Sequence, residues 1–263
     1  MEWYIFALMA ALFQAIHNGF IKKYVRRLHI YHLAGGTLII AGLILTLASV
    51  YRGIPTTDST FWLVMVATII TYSLATYFYY KALDISDISL VVPMISFTPM
   101  FMLLSSYVLL QEFPSMKGLG GIILIVFGSY LLHFTNFKHW IKPFKALYER
   151  RGVRYMLLVA FIYSITASLE KIMILRADPY FTGGIEKLAV GALFLGLMHN
   201  HESGLAKKEN GLFTKVIIAT GVLSGLTTLT QNIAMTLTLA PYVVAIKRMV
   251  ILFSVLIGYF FFK

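Results

Sequence analysis

Residues 79–132 read YYKALDISDISLVVPMISFTPMFMLLSSYVLLQEFPSMKGLGGIILIVFGSYLL. Two long apolar runs, near 90–110 and 117–133, are parted only by the short segment Glu112–Ser115. A helix that crosses roughly 30 Å of hydrocarbon needs about 20 mostly apolar residues. Neither run alternates with period two, so helices are expected and not the strands of a membrane barrel. Carried outward in both directions, the same reading gives nine spans, near 3–20, 32–50, 61–82, 90–110, 117–133, 154–174, 179–198, 214–238 and 242–262.

Composition agrees. The chain has 263 residues, 59% hydrophobic and only 13% charged, and a mean hydropathy of +0.80. A soluble domain carries about 25% charged residues, so a soluble globular protein is excluded. The absence of cysteine removes disulfide scaffolds, thiol nucleophiles and thiolate metal sites. A formal charge of +11 would suggest nucleic acid in a soluble chain, but the basic residues sit in loops between apolar runs. That pattern orients a membrane protein and does not track a phosphate backbone. The first run lacks a basic region before it and a small-residue cleavage site after it, so it reads as a retained helix. Loops after odd-numbered spans hold fifteen basic residues, and loops after even-numbered spans hold three, Arg52, Lys117 and Arg176. Basic loops stay in the cytoplasm. The expectation is a multi-pass protein of the inner (cell) membrane with its amino terminus outside.

Two connections are long. Residues 200–213 are polar and read as a loop. In the linker 134–153, Phe137, Trp140, Ile141, Phe144 and Leu147 recur at helical spacing while Lys138, Lys142, Lys145 and Arg150 fall elsewhere around the turn. Such a segment fits an amphipathic helix lying in the headgroup layer, or an ordinary basic linker.

Residues 79–111 align with 231–263 at a constant offset of 152, without a gap. Ala82 meets Ala234, Val91 and Val92 meet Val243 and Val244, and Phe101, Leu104 and Tyr107 meet Phe253, Leu256 and Tyr259. Residues 16–22 match 165–171 at an offset of 149. The repeat unit therefore spans five helices, an odd number, and two tandem copies must insert in opposite senses. The expected architecture is an all-α polytopic membrane protein of two inverted five-helix repeats: 1–133, the linker 134–153, and 154–263. The second repeat stops one helix short, because Lys263 pairs with Gln111 and nothing answers Glu112 and the fifth span. A fragment lacking its tenth helix is the favoured reading, against a nine-helix variant.

The segment Tyr79–Leu132 resembles an EamA domain of the drug/metabolite transporter superfamily: Ala-Leu closing the third helix, a small polar loop, a Pro-containing fourth helix with Glu at its end, and a Gly-rich fifth helix ending GSYLL. Residues 231–263 resemble the matching part of a second such domain. The resemblance implies a carrier of small metabolites that works without ATP, and names no substrate.

Ionisable residues inside a span cost roughly 2.5–3.5 kcal/mol each on insertion scales and face a cavity or a partner. Glu170, Glu186, Lys247 and Arg248 each fall about 9–12 Å from the same membrane face at the helical rise. They could neutralise one another as a structural cluster, or leave a carboxylate for a cationic substrate or a proton. Lys171 and Lys187 are expected to snorkel toward the interface. Gln14, His17 and Asn18 share one face of the first span. His17 could carry a proton or simply be hydrogen bonded inside. Tyr72, Thr76 and Tyr79 form a second polar stripe, Tyr163, Thr166 and Glu170 a third, and Ser224, Thr228 and Gln231 a fourth. These groups suit a pocket for an amphipathic metabolite, and they are also what helix packing uses. Gly118, Gly120, Gly121 and Gly128 are expected to permit close helix contact, and Pro93 and Pro99 to bend the fourth span.

The sequence reading is thus a secondary transporter, an exporter, of small metabolites such as amino acids or amines. It binds at Gln14, His17, Asn18, Tyr72, Thr76, Tyr163, Glu170, Glu186, Gln231, Lys247 and Arg248. Its partners are a small-molecule substrate and the lipid bilayer, with proton or counter-substrate coupling. No nucleic acid, metal, cofactor or catalytic residue is expected. The rival reading is a membrane-embedded enzyme acting on lipid-linked substrates, but no metal-ligand pair, nucleophile elbow or phosphate-binding Gly-Lys-Ser/Thr loop supports it.

Overall fold

The computed structural model describes residues 2–24, 30–86, 88–131, 145, 149–199 and 210–261. In chain order the helices are α1 (Trp3–Tyr24), α2 (Ile30–Arg52), α3 (Ser59–Ile85), α4 (Ile88–Ile95), α5 (Thr98–Leu110), α6 (Met116–Leu131), α7 (Arg151–Arg176), α8 (Pro179–His199), α9 (Asn210–Leu237), α10 (Ala240–Lys247) and α11 (Val250–Phe261). Among the described residues, eight spans are long and apolar enough to cross a membrane, two of them formed by α4 with α5 and by α10 with α11. The shorter α6 is the fifth apolar run. Large apolar side chains such as Leu47, Leu63, Val66, Leu104, Val108 and Leu124 are exposed along the bundle. That exposure would be ruinous in water and is what lipid requires. The protein is a polytopic α-helical membrane protein.

Expected boundaries shift in two places. Helix α9 starts at Asn210, inside the stretch read as a loop, because its apolar pattern resumes at Leu212 and Phe213. Most of the linker and of the 200–213 stretch lies outside the described residues, so the amphipathic reading of 137–147 is not addressed.

The fourth and ninth spans are interrupted, and the interruptions fall at equivalent positions. In the fourth, the Ser96 and Phe97 amides donate to the carbonyls three residues back, Pro93 and Met94, at 3.2 Å each. In the ninth, Arg248 and Met249 donate to Ala245 and Ile246 at 3.0 and 2.9 Å. Each bond in the second set is the first moved by 152 residues. Tightened turns of this kind mark a change of helix axis. Pro99 accounts for the first, since it sits in the opening turn of α5 without an amide hydrogen. The bend expected of Pro93 and Pro99 is therefore a full interruption. The second has no proline at its turn; Pro241 lies at the start of α10 instead.

Helix contacts come in matched pairs under the same offset. Helix α3 runs along α7 as α1 runs along α9, α4 and α5 lean on α7 as α10 and α11 lean on α1, and α2 crosses α8. The α2–α8 crossing is close because both helices lack side chains there. A Cβ on Gly42 would lie 2.8 Å from the Leu188 amide nitrogen, and one on Gly184 would lie 2.8 Å from that of Thr46. The glycines singled out on the fifth span behave otherwise. Gly118 meets the Tyr242 ring, but Gly120, Gly121 and Gly128 have nothing within 4 Å. Among the described helices, α6 is peripheral, with its main contacts to α4, α5 and α10. Close packing rests on α2 and α8, whose glycines the sequence reading passed over.

Connections alternate between two ends of the bundle. At one, the loop after α2 bonds to the end of α7 through Asp58 and Arg176, and Arg52 lies 4.8 Å over the Tyr180 ring at the start of α8. At that end too, Asp58 caps α3 by accepting from the Phe61 amide at 2.8 Å, and Asp178 caps α8 through Tyr180 and Phe181. At the other, Gly152 packs on Ser86, and Lys81 sits 5.5 Å from the Tyr155 ring.

Candidate functional site: a buried charged cluster beside the second broken span

The polar load of the bundle is concentrated where α3, α7, α8, α9 and α10 face one another. Glu170 on α7 is 8% exposed and Glu186 on α8 is 1% exposed. Glu186, Lys187 and Lys247 are the charged groups that act on the Glu170 carboxyl. The Gln231 amide on α9 links two of these groups. Its Nε2 donates to Glu170 Oε2 at 3.3 Å, while its Oε1 accepts from Lys247 Nζ. Lys187 Nζ lies 3.3 Å from Glu186 Oε1 and 4.9 Å from the centre of the Tyr72 ring. Tyr72 in turn meets Tyr163 edge to face, with ring centres 6.2 Å apart. Contacts therefore join Tyr163, Tyr72, Lys187 and Glu186 in one group and Glu170, Gln231 and Lys247 in another, the charge of Glu186 acts on Glu170 between them, and Arg248 follows Lys247 in the turn between α10 and α11.

The structure thus brings together seven of the eleven residues named from the sequence: Tyr72, Tyr163, Glu170, Glu186, Gln231, Lys247 and, by adjacency, Arg248. Gln14, His17 and Asn18 form their own local group on α1. Gln14 Nε2 donates to Asn18 Oδ1 at 2.9 Å and lies 3.4 Å from His17 Nδ1. His17 Nε2 is shut off from solvent without a partner among the described residues, whereas Asn18 is exposed. Helix α1 packs on α10 and α11, and Lys247 is a charged group that acts on the His17 ring. The Thr76 hydroxyl is spent on its own helix, donating to the Tyr72 carbonyl at 2.8 Å. Thr166 does the same with Ile162 at 3.0 Å.

Lys171 and Lys187 do not snorkel. They are 4% and 7% exposed, and both are held by partners. Lys171 Nζ lies 2.5 Å from Glu112 Oε1 and donates to the Thr238 carbonyl at 2.6 Å. Glu112 also accepts from the Ala240 amide at 3.0 Å, at the positive end of α10. This closed bridge ties the loop after α5 to α7 and α10. Sequence reasoning missed Lys187 because adjacent residues on a helix point apart, and only the length of the lysine stem lets its ammonium return to Glu186. Asn232 was missed too; it is 2% exposed and donates to the Pro179 carbonyl at 3.1 Å.

With this geometry in place, comparison with known proteins assigns the class. Residues 1–134 match the EamA-like transporter family, and the chain belongs to that family. No curated protein matches it. Among solved structures, a crystal structure titled only as that of a protein is similar over 98% of this chain and 88% of its own, with a TM-score of 0.75 and 18% identity. That likeness concerns the fold alone. The family is one of membrane transporters, so the protein is a membrane transporter.

Proposed function

We propose that the protein is a secondary active transporter, an exporter, of small metabolites such as amino acids or amines. Two halves, 1–133 and 154–263, rock about the charged cluster to expose it to one side and then the other. The observation that carries this reading is the pair of interrupted spans at equivalent positions, one of them opening beside buried Glu170 and Glu186 and half-buried Lys247 and Arg248. Interrupted helices near mid-membrane are where carriers built from inverted repeats bind their cargo. Buried intramembrane charge has a cost that function repays. The adjoining carboxyls of Glu170 and Glu186 are where a coupled proton would travel, with a counter-substrate as the other means of drive.

Tyr72, Tyr163, Gln231 and His17 would complete the pocket, with Gln14, Asn18 and Thr76 at its margin. The membrane is the cell membrane, and the amino terminus is outside. Counterflow in proteoliposomes tests the reading: preloading with a substrate must accelerate entry of the labelled compound. A purified protein that binds a metabolite saturably and never exchanges it would refute transport. For orientation, the cysteine-free background makes Gly204→Cys a clean probe. It should resist an impermeant thiol reagent in intact cells, and ready labelling would reverse the topology.

A further inference from the structure

The charged cluster carries more positive than negative charge, and this has a consequence for the cargo. Three cations, Lys187, Lys247 and Arg248, accompany two carboxylates, Glu170 and Glu186. Lys187 is paired with Glu186 at 3.3 Å, and Gln231 joins Lys247 to Glu170. Buried Lys171 is closed off with Glu112 at 2.5 Å. Among the described residues of the cluster, half-buried Arg248 is left over. Its Nε is hidden from solvent with no hydrogen-bond partner among the described residues, and none of their ion pairs includes it.

A lysine in such a place could shed its proton, but a guanidinium cannot. Its planar fork matches the paired oxygens of a carboxylate or a phosphate. It stands in the turn where α10 ends and the twelve-residue α11 begins, so the positive end of α11 adds to the local potential. His17 Nε2, the other buried ring or guanidine nitrogen without a partner among the described residues, is on α1, which packs against both α10 and α11.

We propose that Arg248 binds an anionic group, carboxylate or phosphate, on the transported metabolite, so that amino acids and other anion-bearing compounds are cargo and simple amines are not. This rests on the transporter reading and narrows it.

The test follows thermal unfolding of the detergent-purified protein against inorganic phosphate, acetate and ethylammonium at constant ionic strength. The wild type should show a saturable rise in Tm with phosphate or acetate and none with ethylammonium. Phosphate alone would indicate a phosphate ester as cargo, and acetate alone a carboxylate. Arg248→Gln should weaken the anion effect by about tenfold or more. Arg248→Lys, which keeps the charge and loses the fork, should weaken it less and serves if the glutamine variant does not fold. A rise with ethylammonium only, no rise with either anion, or equal anion affinity in wild type and both variants overturns the proposal. Counterflow separates the two readings: anion binding that depends on Arg248 without any exchange of the bound anion refutes transport and leaves the anion site standing.

Discussion

The α4–α5 turn and the α10–α11 turn have the same backbone and opposite chemistry. Both replace helical bonds with bonds to the third residue back, at positions 152 apart. The first is lined by neutral groups: Ser96, fully buried with a hydroxyl that has no partner among the described residues, beside Met94 and Phe97 on the apolar cluster with Tyr130. The second carries Lys247 and Arg248. One break is made by a proline without an amide hydrogen; the other occurs with alanine and isoleucine at the positions of Pro93 and Pro99. Backbone geometry is thus duplicated while the polar load is not. The residues most able to recognise a charged molecule belong to the second half, and Tyr72 and the α1 group are what the first half adds.

Glu112 is a half-buried first-half carboxylate that reaches into the second half, and the contrast requires it to be structural. Lys171→Met strands this carboxylate against the α10 amide, so unfolding in detergent should show a loss of about 3–5 kcal/mol. Adding Glu112→Gln should restore much of it. A double variant that is stable but has lost cargo binding would place Glu112 in the site and break the contrast.

Next in size, Glu186→Gln should lower counterflow by about tenfold or more, equivalent to roughly 1.4 kcal/mol, by releasing Lys187 from its 3.3 Å partner. Glu209→Gln, in the polar stretch read as a loop, should leave it near wild type. Equal activity in the two variants would remove the second-half cluster from the transport cycle.

A smaller effect tests the neutral turn. Ser96→Ala deletes a buried hydroxyl without a partner among the described residues, so stability should change by no more than about 0.5 kcal/mol and in the favourable direction. A large loss would show that this hydroxyl has a function of its own and that the two turns are chemically closer than their sequences.

The smallest effect lies outside the spans. The Asp58 carboxyl is held below its ordinary range, first by the Phe61 amide and, against the opposing effect of desolvation, by Arg176. A carboxyl with a depressed folded-state pKa binds fewer protons when folded than when unfolded. Its contribution is present above the unfolded value and disappears as pH falls through the folded one. Wild-type Tm should therefore drop below about pH 4 with a component that Asp58→Asn lacks. Identical pH profiles would remove Asp58 as a titrating cap of α3.

Much of the fold was legible because it is a matter of solvent. Lipid demands long apolar helices, so the runs themselves announced the spans, and the offset of 152 set residues 79–111 against 231–263. The depth of Glu170, Glu186 and Lys247 could be counted along each helix at a fixed rise. Rotation about the helix axis and side-chain reach could not be counted. Lys187 reads as turned away from Glu186 and is bonded to it; Thr76 reads as lining a pocket and bonds its own backbone; the glycine-rich fifth span reads as a contact and lies at the edge. In lipid the two sides of an apolar helix look alike, because the surrounding tails are as apolar as a neighbouring helix. The sequence by itself determined a helical membrane protein of nine apolar runs with a half-length repeat, since hydropathy and period are local properties. Which charges pair, and that the Arg248 Nε has no partner among the described residues, was decided only by the tertiary structure, since pairing depends on which faces meet when the helices close.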